Sequence, residues 1–180
     1  MPRTTIIDNA EEIEEIMAGA IAQAEHGAGA RAVHRASVRL DRGLTVEASA
    51  RGFRLLVDEP ESFGGANAGP NPEEVVLAGV GACQAITAAL YAALMGIPIT
   101  RYEVDLRGYL DLRGFYGHAR PDEGLTGFTR VVCDTRMEAD APAEELERFQ
   151  RLVEERCVGH GTMRQPVEIE SNWQITSTSS

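Results

Sequence analysis

From Val75 to Ile99 the chain carries no charged side chain, reading VVLAGVGACQAITAALYAALMGIPI. About 20 apolar residues cross a bilayer, so a run of this length is a candidate span. Its punctuation argues for another use. Asn71 and Pro72 precede it as N-cap and first helical residue, and Gly96 with Pro98 closes it as a helix in water closes. Ala and Gly supply its bulk, and no cluster of basic residues follows to set an orientation across a membrane. The pattern predicts a central helix, apolar all round and packed on every side by protein. The rest of the chain has to supply that cover.

The flanking patterns show what is on hand to do so. Residues 9–25 carry Ile13, Ile16, Met17, Ala20 and Ile21 at helical spacing, predicting an amphipathic helix closed by the glycines at 27 and 29. Three alternating runs follow: Val38 and Leu40; Leu44, Val46 and Ala48; Phe53, Leu55 and Val57. Turns at Asp41-Arg42-Gly43 and Arg51-Gly52 are short enough to make these an antiparallel meander. Residues 58–72, rich in Gly, Pro, Asn and Asp, form a loop into the central helix. Beyond it, Tyr102, Val104 and Leu106 alternate as a strand. A loop from Gly114 to Gly127 leads to a second strand through Thr129, Val131, Cys133, Thr135 and Met137. A helix opened by Asp140 and Pro142 carries Leu146, Phe149, Val153 and Cys157 on one face, and Gly159 and Gly161 are expected to stop it. Val167, Ile169 and Trp173 suggest a last strand. The order α-βββ-α-ββ-α-β reads as an α+β fold with antiparallel sheets.

Charge narrows the partners. Seventeen basic and 28 acidic residues give a net charge of −11, which repels both nucleic acid and anionic lipid. The opening MPRTTIIDNAEEIEE has no apolar core of a signal peptide, so a cytoplasmic setting is expected. The three cysteines have unrelated spacings and form no Cys-x-x-Cys pair. In a reducing compartment they are structural, catalytic or redox-sensing.

Each cysteine has competing readings. Cys83, in the middle of the central helix, packs well as a small hydrophobe. To react it needs a cation from elsewhere, because the helix dipole acts only near the ends. Cys157 shares the buried face of the second helix and could meet Cys83. At a helix C-terminus it should resist ionisation, which suits a thiol that resolves rather than attacks first. Cys133 lies in the apolar phase of its strand and reads as structural. Cys157 and His160, joined by His118 and Cys133, would make a zinc site only if all four converge. Cys83 with His160 would make a Cys-His hydrolase pair. Glu73 and Glu74 complement the dipole at the start of the central helix. At 1.5 Å rise per residue, Glu73 lies about 15 Å along the axis from Cys83, so an arginine would have to span the gap.

The stretch DEPESFGGANAGPNPEEVVLAGVGAC, followed downstream by ERCVGHGT, resembles the OsmC/Ohr family of thiol peroxidases. The resemblance covers about residues 36–176. It implies a domain over 31–180 with 1–30 as a helical extension, and antiparallel sheets packed on two long helices in an intertwined homodimer. It assigns Cys83 as the peroxidatic cysteine and Cys157 as the resolving one, with Val158 standing where the family has proline. It gives Glu73 as the catalytic acid, with Glu74 as its alternative. It gives Arg42 as the activating arginine, with Arg51 and Arg54 as rivals. The implied activity is reduction of organic hydroperoxides through a Cys83 sulfenic acid and a Cys83–Cys157 disulfide. A lipoyl-bearing or thioredoxin-like dithiol restores the enzyme, and no bound cofactor, metal, nucleic acid or membrane is involved. The alternatives are a small-molecule-binding protein with inert cysteines, and the Cys-His hydrolase.

Overall fold

The computed structural model describes residues 5–25, 31–120 and 126–178. In chain order the elements are α1 (Ala10–Glu25), β1 (Ser37–Arg42), β2 (Thr45–Ala50), β3 (Phe53–Val57) and α2 (Pro72–Met95). They continue with β4 (Ile99–Leu110), β5 (Phe128–Ala139), α3 (Ala143–Arg156) and α4 (Val158–Arg164).

The charge-free run folds as α2, and both its ends are built from the residues that predicted them. The Asn71 side chain accepts the Glu74 N–H at 2.8 Å, and the Glu74 carboxylate accepts the Asn71 N–H at 2.9 Å. Pro72 opens the helix, where a missing N–H costs nothing. Gly96 closes it at φ +66°, left-handed backbone that other residues rarely adopt, and donates to the carbonyls of Ala92 and Ala93. By length and composition α2 could cross a membrane. Here one face of it is core: Val80, Gly81, Gln84, Thr87, Ala88, Ala92 and Ala93 are buried. The rest is not. Val76, one turn before Val80, is 46% exposed, and Ile86 on the opposite face 60%, so the cover expected on every side is not supplied within one chain.

Of the two antiparallel sheets, one packs on this helix. β4 and β5 form a long hairpin with Tyr102 opposite Met137, Val104 opposite Thr135 and Leu106 opposite Cys133. These six lie in one phase of the pleat, the side from which Leu106 meets α2. A methyl group at Gly81 would come within 2.5 Å of Leu106 Cδ1, so the helix seats close to β4. The other phase carries exposed ion pairs, among them Arg101–Glu103 and Arg107–Asp134. Such pairs contribute at most about 1 kcal/mol each, and they keep that face in water.

The main core joins Ile7, Ala88, Ala92, Ile97, Ile99, Phe149 and Val153, with Ala10 and Ile13 packed against it. The N-terminal segment is thus tied in, and the Ile6 N–H also donates to the Ile99 carbonyl at 2.8 Å. Farther along α1, Ile16 and Ile21 are exposed, so only the first half of its apolar face is used.

The sheet β1–β2–β3 is the meander expected. Arg42 pairs with Thr45, which makes it the last residue of β1 rather than part of the turn. Val38, Leu40, Phe53 and Leu55 are exposed, and the sheet makes no extensive contact with any helix of its own chain. Three further expectations differ or fall outside view. Gly159 and Gly161 lie inside α4 instead of ending the preceding helix. Val167, Ile169 and Trp173 form no strand, because no described strand edge of this chain pairs with them, and Trp173 is 85% exposed. The glycines at 27 and 29, and part of the loop between Gly114 and Gly127, lie outside the described residues.

The glycine-rich loop before α2 is organised by one buried carboxylate. Asp58 is 1% exposed. Its carboxylate accepts the N–H groups of Glu59, Ala66 and Ala68 at 2.9–3.1 Å and the Thr45 hydroxyl at 3.3 Å. Burial pushes this carboxyl up, and the four hydrogen bonds more than reverse it, leaving its pKa below the ordinary 3.8. A depressed native pKa gives stability that is present above the unfolded value and lost as pH falls through the folded one. The thermal midpoint should therefore drop on acidification below 3.8, and Asp58→Asn should lower it at neutral pH while flattening that acid limb. A variant with the wild-type acid limb would assign it to other carboxylates. Phe149, 2% exposed, anchors α3. In urea unfolding Phe149→Ala should cost about 3–5 kcal/mol.

Candidate active site

The backbone at Cys157 differs from the plain helix end the sequence suggests. This residue sits in extended backbone, φ −67° and ψ 112°, between α3 and α4. Its N–H donates back to Val153, and its carbonyl accepts the Gly161 N–H from the first turn of α4. It is therefore the C-cap of one helix and the N-cap of the next. The amides of Gly159 and His160 lie near enough to pull its thiol down, where carbonyl surroundings would be expected at a plain helix C-terminus. Burial pushes the Cys157 thiol up, those two amides pull it down, and the neighbouring Cys83 thiol pushes it up; the net direction is upward. At 2% exposure it is held as a protonated, sheltered thiol.

Cys83 is half-buried on α2, and its sulfur accepts the Gly159 N–H at 3.2 Å. The two thiols are near enough that Cys83 pushes the Cys157 thiol up, and all three cysteines are free. Gly159 makes this approach possible. A Cβ there would stand 3.2 Å from Cys83 Cβ and 3.3 Å from Val80 Cα, closer than most side chains tolerate. The glycine is present for close approach rather than for ending a helix.

The other candidates are distributed differently. Glu74 is engaged in the α2 cap, and Glu73 is half-buried beside it. Glu59 joins them: burial pushes its carboxyl up, and the charges of Glu73, Asp58 and Glu74 push it further. Arg42, Arg51 and Arg54 all belong to the β1–β3 sheet, which is not packed against α2. Arg54 pairs with Glu47 at 3.6 Å, and Arg51 lies 5.4 Å from the centre of the Phe53 ring. One chain thus unites the two sulfurs without seating any of these guanidinium groups on Cys83.

His160 turns away from Cys83. Its Nε2 lies 3.9 Å from the sulfur of Cys133, which removes the geometry of a Cys83–His160 hydrolase pair. Burial pushes the imidazole down, Arg164 adds to that, and Glu154 opposes it, so His160 is neutral near pH 7. Among the described residues no three His, Cys, Asp or Glu side chains are grouped to hold a metal ion, so His118 does not join the other three. Cys133 and His160, considered together only as part of a four-ligand metal set, meet as a pair, and Gln84 of α2 escaped the sequence reading. Neither contact has a sequence signal, because both arise across elements far apart in the chain.

The chain belongs to the OsmC-like protein family, whose model matches residues 64–172. It is 26% identical over 108 residues to a protein named hydroperoxide reductase in Mycoplasma genitalium, covering 60% of this chain and 72% of that one. An OsmC-like protein from Mycoplasma pneumoniae superposes with a TM-score of 0.63 at 21% identity, over 74% of this chain and 88% of that one. An OsmC-like protein of unknown function from Vibrio cholerae gives 0.60 at 18% identity, over 73% and 94%.

The seating of α4 on α2 has a direct test. Gly159→Ala should separate Cys83 from Cys157 and remove the N–H donor from the Cys83 sulfur. Formation of a Cys83–Cys157 disulfide under a mild oxidant, followed by non-reducing mass spectrometry, should slow several-fold. An unchanged rate would mean the approach at Gly159 does not control the pairing.

Proposed function

We propose that the protein is a thiol peroxidase that reduces organic hydroperoxides. The observation that carries the reading is the contact between Cys83 and Cys157 under the Gly159 amide. The relative named hydroperoxide reductase supports the substrate class. The Cys83 thiolate attacks the distal peroxide oxygen, the O–O bond breaks, and the other oxygen leaves as an alcohol. Cys83 is then a sulfenic acid. The Cys157 sulfur attacks it, water leaves, and a disulfide forms that an external dithiol, lipoyl-bearing or thioredoxin-like, reduces. This chemistry requires no bound cofactor or metal.

The reading includes a homodimer in which Arg42 reaches a Cys83 across the subunit boundary. Three observations support it. The exposed apolar side chains of β1–β3 and the open face of α2 are complementary surfaces, each lacking cover. The unpaired segment carrying Val167, Ile169 and Trp173 needs a strand edge. The carboxylates of Glu59, Glu73 and Glu74 crowd the start of α2, and among the described residues no ion pair involves them. An arriving guanidinium would relieve that repulsion. With Glu74 spent on the cap, Glu73 is the acid that would orient Arg42. Residues 31–180 form the catalytic unit in this reading, and 1–30 an addition that braces the far end of α2.

Consumption of cumene hydroperoxide with a dithiol present tests the mechanism. Wild type should turn over and Cys83→Ser should fall to background. Cys157→Ser should consume one equivalent and retain a trappable sulfenic acid. Turnover by Cys83→Ser at the wild-type rate would remove the mechanism. Light scattering should give a dimer mass. Arg42→Ala should cost on the order of 100-fold in kcat/KM, a loss of about 2.7 kcal/mol of transition-state stabilisation.

A further inference from the structure

A second cleft lies on the sheet side of the paired thiols. It encloses about 450 Å³ between Val80 and Gln84 of α2, Cys133 and Thr135 of β5, and His160 and Arg164 of α4. Two buried polar atoms of its wall, Gln84 Oε1 and His160 Nδ1, have no hydrogen-bond partner. Gln84 is 5% exposed, and its amide nitrogen is held by the Tyr102 hydroxyl at 3.1 Å and the Thr135 hydroxyl at 2.7 Å, leaving its oxygen unmet. Buried polar atoms without partners are rare, and a pair of them in one cleft wall points to something that enters.

The third cysteine is in that wall. Cys133 Sγ lies 3.9 Å from His160 Nε2, and the main-chain amide of the same histidine pulls the Cys157 thiol down. His160 therefore sits between the two sulfurs, its ring on Cys133 and its backbone near Cys157. The sulfurs are also within electrostatic reach. Burial pushes the Cys133 thiol up, the Cys157 charge and Asp134 push it further, and Arg164 opposes them. A sulfur locked in a disulfide carries no charge, so the Cys157 contribution disappears once Cys157 has been oxidised.

We propose that Cys133 is a third redox thiol, which takes the disulfide over from Cys83 and presents it, as a Cys133–Cys157 bond, to a small dithiol in this cleft. This rests on the reading of Cys83 as the peroxide-reactive thiol. The Cys133 thiol gives its proton to His160 Nε2, and the thiolate attacks Cys157 Sγ. The Cys83–Cys157 bond breaks, and its electron pair leaves on Cys83, whose sulfur faces the Gly159 amide. Solvent protonates that thiolate, and His160 returns its proton to solvent. An incoming dithiol supplies two electrons and two protons, regenerates the Cys133 and Cys157 thiols, and departs as a disulfide. Cys83 is thereby free for the next peroxide before the reductant arrives.

Trypsin separates the three sulfurs cleanly, since Arg130 and Arg136 bracket Cys133, and Arg156 and Arg164 bracket Cys157. The reduced full-length protein, given one equivalent of cumene hydroperoxide, is quenched in acid at intervals, alkylated and digested without reductant. A Cys83–Cys157 linked peptide should appear first and give way to a Cys133–Cys157 one. In Cys133→Ser the first link should form at the wild-type rate, and steady turnover with dithiothreitol should fall several-fold. A wild-type map that holds Cys83–Cys157 alone at all times overturns the relay and leaves the peroxidase reading standing. A map with no peroxide-driven link to Cys83 overturns both.

Discussion

The seating of the first turn of α4 on the middle of α2 is the contact on which the rest of the site depends. At Gly159 the two backbones come so close that a single methyl group would press on Val80 and Cys83. That closeness aims one amide at the Cys83 sulfur, buries Cys157 beside it, and swings the His160 ring toward Cys133. Hydrogen bonds of this kind act only over short distances, so a small displacement of α4 would undo all three at once.

Around this contact the molecule divides into a finished half and an open half. The far end of α2, with β4, β5, α3 and the N-terminal segment, forms a core closed within one chain. The near end of α2 and the β1–β3 sheet keep their apolar surface in water. Contiguous exposed apolar surface of that kind marks an interface. Under the proposed peroxidase reading, the half that carries the chemistry is the half left open, which fits a site completed by a second copy. The acidic start of α2 fits the same picture, because carboxylates held near one another favour an arriving cation.

The electrostatics separate the three thiols by surroundings. Cys157 and Cys133 are both pushed up by burial, so neither is ionised ahead of need. Cys83 is less enclosed than Cys157 and faces an amide instead of apolar wall, which fits attack on a substrate from outside. Distinct environments for chemically identical groups are how one small fold assigns distinct roles.

The sequence by itself determined the elements whose signals are local. Asn71, Pro72 and Gly96 marked both ends of α2, alternation marked β1 to β5, and the spacing of Phe149, Val153 and Cys157 marked the buried face of α3. These follow from side-chain periodicity and capping, which need no distant partner. Only the tertiary structure decided what Gly159 is for, that Cys157 opens a helix as well as closing one, and that Cys133 meets His160. The first and last depend on contacts between elements dozens of residues apart, and the second on which of two successive helices the local backbone serves. The segment around Trp173 shows the complementary case: its alternation is that of a strand, but a strand exists only where a neighbouring edge accepts its hydrogen bonds, and this chain supplies none among the described residues.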